Sequence, residues 1–307
     1  MSKKTALTAP QFNNEQAAIA HVEASRWPNE VSCPHCGSLN VHRMAGKTQA
    51  GYFLCNDCRD KFTCRTGSVM ERSHIPVHKW LLAIHLLSSN KNGMSAHELH
   101  RLIGVTYKSA WFLAHRIREA MMDGKPSPMG GGNNDQVQVD ETYYGNTSKR
   151  AKGYKRGLKH KASVVAMVEP KTGRARAFHV DTADQPTVNK IIRTNIIRKS
   201  VLVTDDHQMY DKIGREFSGH QRVTHSADEY VNNDGYTTNN VENFFLQFKR
   251  GMRGTYIHCG QQHVQRYLNE FSFRYSHRSG LGIEDQERAA LVLKGIESKR
   301  LTYRRPH

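Results

Sequence analysis

Two cysteine pairs carry the first chemical signal. Cys33-Pro-His-Cys36 and Cys55-Asn-Asp-Cys58 form a C-x2-C-x18-C-x2-C pattern. Each pair makes a knuckle that turns two thiolates toward one point, and four thiolates suit a tetrahedral Zn2+ at about 2.3 Å. Four protein ligands leave no open position for a substrate, so this zinc is expected to be structural. His35, inside the first knuckle, is read as exposed rather than as a ligand. Cys64 and Cys259 have no partner in sequence and are read as small buried hydrophobes.

The second signal is a set of oxygen side chains far apart in the chain. Val137 and Val139 alternate with polar residues and lead into Asp140, and VLVTDD ends in Asp205 and Asp206. TTNNVENFFLQFKRGM then supplies Asn239, Glu242 and Lys249 at helical spacing on one face. Two Mg2+ or Mn2+ ions about 3.5–4 Å apart need hard oxygen ligands on a rigid support. Such a pair activates a water or a 3′-hydroxyl and stabilises the leaving oxygen during in-line displacement at phosphorus. A nearby lysine can hold a phosphate. Each residue also has an ordinary reading. Asp140 could end a strand, Asn239 with Glu242 could form an N-cap box, and Lys249 could sit on a solvated face. Asp206 is read as the N-cap of the next helix. The joint order, an acid at a first strand, an acid after a fourth, then an acid on a helix, favours the metal reading.

The elements that must position these residues follow from periodicity. Residues 1–30 read as a helical lead-in and 31–75 as a zinc ribbon with short strands such as GYFLC. Residues 76–122 are helical: KWLLAIHLL, SAHELHRLIG and SAWFLAHRIREAMM place apolar residues three or four apart. Ser95 with Glu98 reads as a capping box, Gly104 as a break, and Thr106 or Tyr107 as the next start. Helix, glycine turn and helix make a helix-turn-helix-like segment, with Lys108, His115, Arg116 and Arg118 offered to DNA. Gly, Pro and Ser mark 123–135 as a linker. From 136 to 307 the pattern becomes three strands, a helix, a strand, a short helix, a strand and closing helices. That order predicts a mixed α/β sheet. With its first strand central and the fourth beside it, Asp140 and Asp205 become neighbours.

Bulk charge agrees. Lys and Arg number 45 against 28 acids, a net charge of +17 over 307 residues. Such an excess attracts phosphate polymers. No apolar run approaches the roughly 20 residues that span a bilayer. The N-terminus also lacks the apolar centre of a secretory signal. A cytoplasmic, nucleoid-associated protein with no membrane partner is expected.

Taken together, RWPNEVSCPHCGS, CNDC, the helical segment, VDETYYGN, VTDDHQMY, TTNNVENFFLQFKRGMRGTYIH and QRYLNEFSFRYSHR resemble bacterial insertion-sequence transposases of the DDE superfamily, in the ISXO-like group with an N-terminal zinc ribbon. The resemblance covers nearly the whole chain. It implies an RNase H-like catalytic domain that cuts transposon-end DNA to free 3′-hydroxyls and joins them to target DNA. It also implies double-stranded DNA as partner and assembly of copies on that DNA. Asp140 and Asp205 match the first two acids. Asn239 and Glu242 are both eligible as the third, with Glu242 favoured because Glu242-x6-Lys249 has the family's acid-to-base spacing. A histidine common before the Thr-Asn pair is replaced by Thr237. Residues 148–161 are read as a basic, DNA-facing hairpin. The alternatives are a non-catalytic zinc-ribbon DNA-binding regulator and a recombination or repair nuclease without strand transfer.

Overall fold

The computed structural model describes residues 6–46, 50–124, 126–132, 135–145, 162–224 and 234–302. The proposed basic hairpin, 148–161, lies outside them. The chain forms two compact units, one of residues 1–123 with 283–307 and the other of residues 124–282.

In the first unit, helix α1 (Glu15–Arg26) starts at Asn14, whose side chain accepts the Ala17 N–H. Three short antiparallel strands follow: β1 (Val41–Arg43), β2 (Tyr52–Cys55) and β3 (Lys61–Thr63). Phe53 and Phe62 stack at 5.3 Å between ring centres, and Trp27 meets both rings edge-on. Three helices come next: α2 (Val77–Ser89), α3 (Ala96–Ile103) and α4 (Tyr107–Ala120). The Ser95 hydroxyl accepts the Glu98 N–H, Gly104 closes α3 at φ 61°, and Thr106 caps α4 through the Ser109 N–H. Local chemistry therefore starts and stops these helices as the sequence predicts. Helix α2 lacks such a local cap. Instead Glu15 accepts the N–H groups of Val77 and His78, at 2.8 and 3.0 Å.

The offer of α4 basic residues to DNA needs correction. Lys108 is exposed, but His115, Arg116 and Arg118 are buried. Arg116 lies over the rings of Trp80 and Phe112 and donates to the Glu71 carbonyl. All three are buried along α4, as Leu113 and Ile117 are, and the long arginine stems can cover apolar surface there.

The sequence pattern grouped 283–307 with the sheet, whereas the contacts place it in the first unit. Helix α9 (Asp285–Lys294) packs against α2, and Arg288 donates to the Ser88 carbonyl at 3.1 Å. The Val69 N–H meets the Ile296 carbonyl, and the Ser298 N–H that of Gly67. An amphipathic helix reports that it has a core to cover, not which core. Gly295 sets how closely this segment approaches, because a Cβ there would stand 2.2 Å from the Ala120 carbonyl oxygen. Gly295→Ala is expected to destabilise the first unit by about 1–3 kcal/mol through overpacking, read from urea unfolding.

The second unit is built on a five-stranded sheet. Its strands are β4 (Gln136–Tyr144), β5 (Ala162–Val168), β6 (Ala175–Val180), β7 (Val201–Asp205) and β8 (Gly219–Val223). The order is β6-β5-β4-β7-β8, antiparallel from β6 to β4 and parallel from β4 to β8. This is the RNase H-like mixed sheet that the resemblance implied, with its first strand central. Helices α5 (Gln185–Asn195) and α6 (Asp211–Gly214) come between the later strands. Helices α7 (Asn239–Gly251) and α8 (Val264–Ser276) follow them. Among the described residues the two larger cores lie one on each face, with a smaller cluster of Val201, Val203 and Val223 besides. Val137, Val139, Val165 and Met167 pack with Val188 and Ile192 of α5, while Val164, Ala166 and Val168 pack with Phe244 and Phe248 of α7 and Phe271 of α8. The Gly- and Pro-rich stretch before β4 takes part in this unit. Met129 is fully buried in the α5 core and exchanges backbone hydrogen bonds with Asn195 and Ile197.

Candidate functional site

The four cysteines of the ribbon converge. Their sulfurs all lie within 4.8 Å of one another, with Cys33 to Cys58 at 3.7 Å and Cys36 to Cys55 at 3.6 Å. A tetrahedron of sulfurs about 2.3 Å from a Zn2+ has edges of about 3.8 Å. The knuckles share one construction. Gly37 follows Cys36 at φ 79°, and Arg59 follows Cys58 at φ 64°. The Gly37 N–H returns to the Cys33 carbonyl and the Arg59 N–H to that of Cys55. Asp57 ties the two together by accepting from Ser38 and Asn40. The Cys58 N–H holds the Cys55 thiol down to about 7. Four sulfurs packed this closely around one point, with no cationic side chain in the set, fit a structural zinc. His35 is exposed, and Cys64 is buried outside the cluster, both as expected.

The acids are gathered more loosely: among the described residues only the four cysteines meet as a ligand cluster, while the negative charges of Asp205 and Glu242 reach Asp140. Along β4 and β7, Gln136 stands opposite Val201 and Gln138 opposite Val203. Carried two residues past the last paired position, the same offset leads from Asp140 to Asp205. Alternation fixes the face. Val137 and Val139 enter the α5 core, so Gln138 and Asp140 project toward α7. From α7 comes Glu242, half-buried, in the first turn and a half of the helix. Burial pushes the Asp140 carboxyl up to about 7, and the negative charges of Glu141, Asp205 and Glu242 add to the rise. A carboxyl so crowded by its own kind fits a site for divalent cations, which would reverse the repulsion.

The other predicted residues are placed less centrally. Asn239 is the exposed first residue of α7, and its N–H donates to the Thr237 hydroxyl at 3.1 Å. No N-cap box forms with Glu242; instead the Thr238 hydroxyl donates to the Glu242 carboxylate at 2.6 Å. Lys249 lies two turns beyond Glu242, half-buried, 6.0 Å from the Phe245 ring centre. Asp206 is exposed and does not cap the following turn. The His207 ring accepts the Met209 N–H there, because His207 holds the extended backbone of a cap.

Three neighbours escaped the sequence reading. Glu141 projects to the opposite face from Asp140 and accepts the hydroxyl proton of the fully buried Tyr210. Burial raises its pKa, as it does that of Tyr210. Gln138, fully buried, accepts the N–H groups of Asn240 and Val241 at 3.0 and 3.1 Å. The signal for Gln138 was a polar residue at a buried position two before Asp140; for Tyr210 there was none.

No helix among the described residues is long and apolar enough to cross a membrane. Comparison with known proteins matches residues 132–276 to the ISXO2-like transposase domain and residues 13–61 to the transposase zinc-ribbon domain. A protein of the transposable element ISH50 from Halobacterium salinarum, itself described as uncharacterized, is 26% identical over 237 residues. The match spans 73% of this chain and 78% of the relative. A chain from the simian T-cell lymphotropic virus intasome, solved in complex with the PP2A regulatory subunit B56 gamma, aligns at 13% identity. That alignment spans 57% of this chain and 63% of the other, with a TM-score of 0.29, too low to define a shared fold. With zinc knuckles early in its sequence and an acid-bearing mixed sheet later in it, the chain carries a transposase zinc ribbon followed by an ISXO2-like transposase domain.

Proposed function

We propose that the chain is a DNA transposase that binds the terminal repeats of its element, cleaves them at the ends and joins the freed 3′-hydroxyls to target DNA. The observation that supports this reading is Asp140 on the central strand, at a place where the charges of Asp205 from the parallel neighbour and Glu242 from α7 act on its carboxyl. Asp140 and Asp205 would hold two Mg2+ or Mn2+ ions with Glu242, the third acid. Bound there, the ions would acidify the attacking water or hydroxyl and neutralise charge on the scissile phosphate. The side chains do the rest. Glu242 is kept in place by the Thr238 hydroxyl, and Lys249 is spaced along α7 to contact a flanking phosphate. Glu141 and Tyr210 close the opposite face with a hydrogen-bonded pair.

The net charge of +17 supplies the long-range attraction to DNA. The ribbon and the α3–α4 hairpin, with Tyr107 and Lys108 exposed at its turn, are the parts proposed to read the repeats. Two ends must be joined to one target, so copies are proposed to assemble on the DNA. The reaction takes place at the nucleoid.

Incubation with labelled element-end DNA and Mn2+ tests this, with nicked and joined products as readout. Asp205→Ala is expected to abolish both products and leave end binding intact; full cleavage by that variant would sink the metal assignment. Glu242→Gln is expected to cost more than about 100-fold, beyond the 10–100-fold of a supporting residue, and Asn239→Ala only a few-fold. The reverse ranking would make Asn239 the third ligand.

A further inference from the structure

We propose that Gln138 is a positioning residue that sets where Glu242 stands relative to Asp140. The inference rests on the metal-site reading above. Helix α7 is not capped by its N-cap residue, and of its first N–H groups only that of Asn239 finds a local side-chain acceptor, the Thr237 hydroxyl. Its N-cap residue, Thr238, makes no side-chain bond to the helix backbone and instead gives its hydroxyl to Glu242. The open N–H groups of the first turn still need acceptors. Two of them, from Asn240 and Val241, are taken by one oxygen, Oε1 of Gln138. That oxygen belongs to the strand that carries Asp140, two residues earlier and on the same face. One amide thus ties the start of the helix bearing Glu242 to the strand bearing Asp140, across 102 positions of sequence.

The choice of residue is otherwise hard to explain. Position 138 is fully buried, lies opposite Val168 and Val203, and is flanked by two valines that complete a core. An apolar side chain would fit such surroundings. Moreover, only an oxygen can accept two N–H groups, so the amide is held in one orientation. Its Nε2 is then left buried with no partner among the described residues. A buried unbonded donor is unfavourable, and it is retained beside an acceptor that two helix amides use.

Positioning predicts a change in metal affinity, not only in stability. The test measures Mn2+ affinity of the full, zinc-loaded chain by electron paramagnetic resonance. Hydrogen exchange of the peptide containing Asn240 and Val241 is followed in parallel. Gln138→Asn keeps an amide but falls one methylene short of α7. It is expected to weaken Mn2+ binding about tenfold, the low end for a supporting residue, and to speed exchange at those amides. Gln138→Glu keeps an oxygen at full reach and is expected to restore both to within about threefold of the parent. Unchanged Mn2+ affinity in Gln138→Asn, or a Gln138→Glu variant no better than Gln138→Asn, overturns the inference. Asp140→Ala separates the underlying reading. If it binds Mn2+ as tightly as the parent, the metal site is wrong and the inference falls with it. If it loses Mn2+ while Gln138→Asn does not, Gln138 alone is misassigned.

Discussion

Asp140→Asn is expected to abolish DNA cleavage and, in the same protein without Mg2+ or Mn2+, to stabilise the fold increasingly as pH rises. The Asp140 carboxyl is raised from 3.8 to about 7, with burial the largest cause. Between those values the folded chain holds a proton that the unfolded chain has released. Stability from this group is therefore fully present below pH 4 and is lost as pH rises through 7. The rise corresponds to about 4 kcal/mol by pH 8, at 1.36 kcal/mol per pH unit. Asparagine has no charge to bury and escapes the loss. Urea unfolding of parent and variant at pH 5 and pH 8, following the second unit, measures the difference. It should widen by about 2–3 kcal/mol over that range. Adding Mn2+ at pH 8 should narrow it, because the cation stabilises only the parent. A gap that stays constant with pH would show that the carboxyl is not held in its uncharged form.

Loss of zinc is the second large effect. The ribbon has three strands of three or four residues and a small aromatic core, too little to fold alone. Structural zinc contributes roughly 10–16 kcal/mol of apparent binding energy in small zinc domains at neutral pH. Cys33→Ser removes one of the sulfurs that meet within 4.8 Å. It is expected to release the metal, expose the segment between Val31 and Thr63 to protease, and weaken binding to element ends. The sheet of the second unit should keep its unfolding transition, since its cores draw on none of these residues. Cys64→Ser is the control. Cys64 is just as buried but outside the cluster, and its thiol is pushed up to about 11 by burial. It should retain zinc. Zinc retained by Cys33→Ser, measured by metal analysis, would contradict the four-sulfur site.

Much of this was legible in the chain itself. Alternation at Val137 and Val139 gave the face of Asp140, and the order of strands gave the neighbour, Asp205. Helical spacing in NNVENFFLQF gave α7 and its apolar stripe. What local pattern could not give were contacts made across long sequence separations. Gln138 reads as an ordinary strand residue until α7 is seen to rest on its oxygen. Arg116 reads as a DNA-facing cation because its type is charged, yet its stem completes an aromatic core. Asp206 looked like a helix cap because aspartate commonly is one, but His207 took that role. In each case the residue type was informative, and its tertiary partner decided the outcome.

The return of residues 283–307 to the first unit has a consequence for synthesis. On a ribosome adding about 5–20 residues per second, the 160 positions from Asp123 to Ile283 take roughly 8–32 seconds to emerge. During that interval the sheet can close on its own cores, whereas α2 still lacks α9 and Val69 still lacks the carbonyl of Ile296. The part of the chain translated first is therefore the last to be completed, and a nascent or prematurely terminated product carries an unfinished front unit.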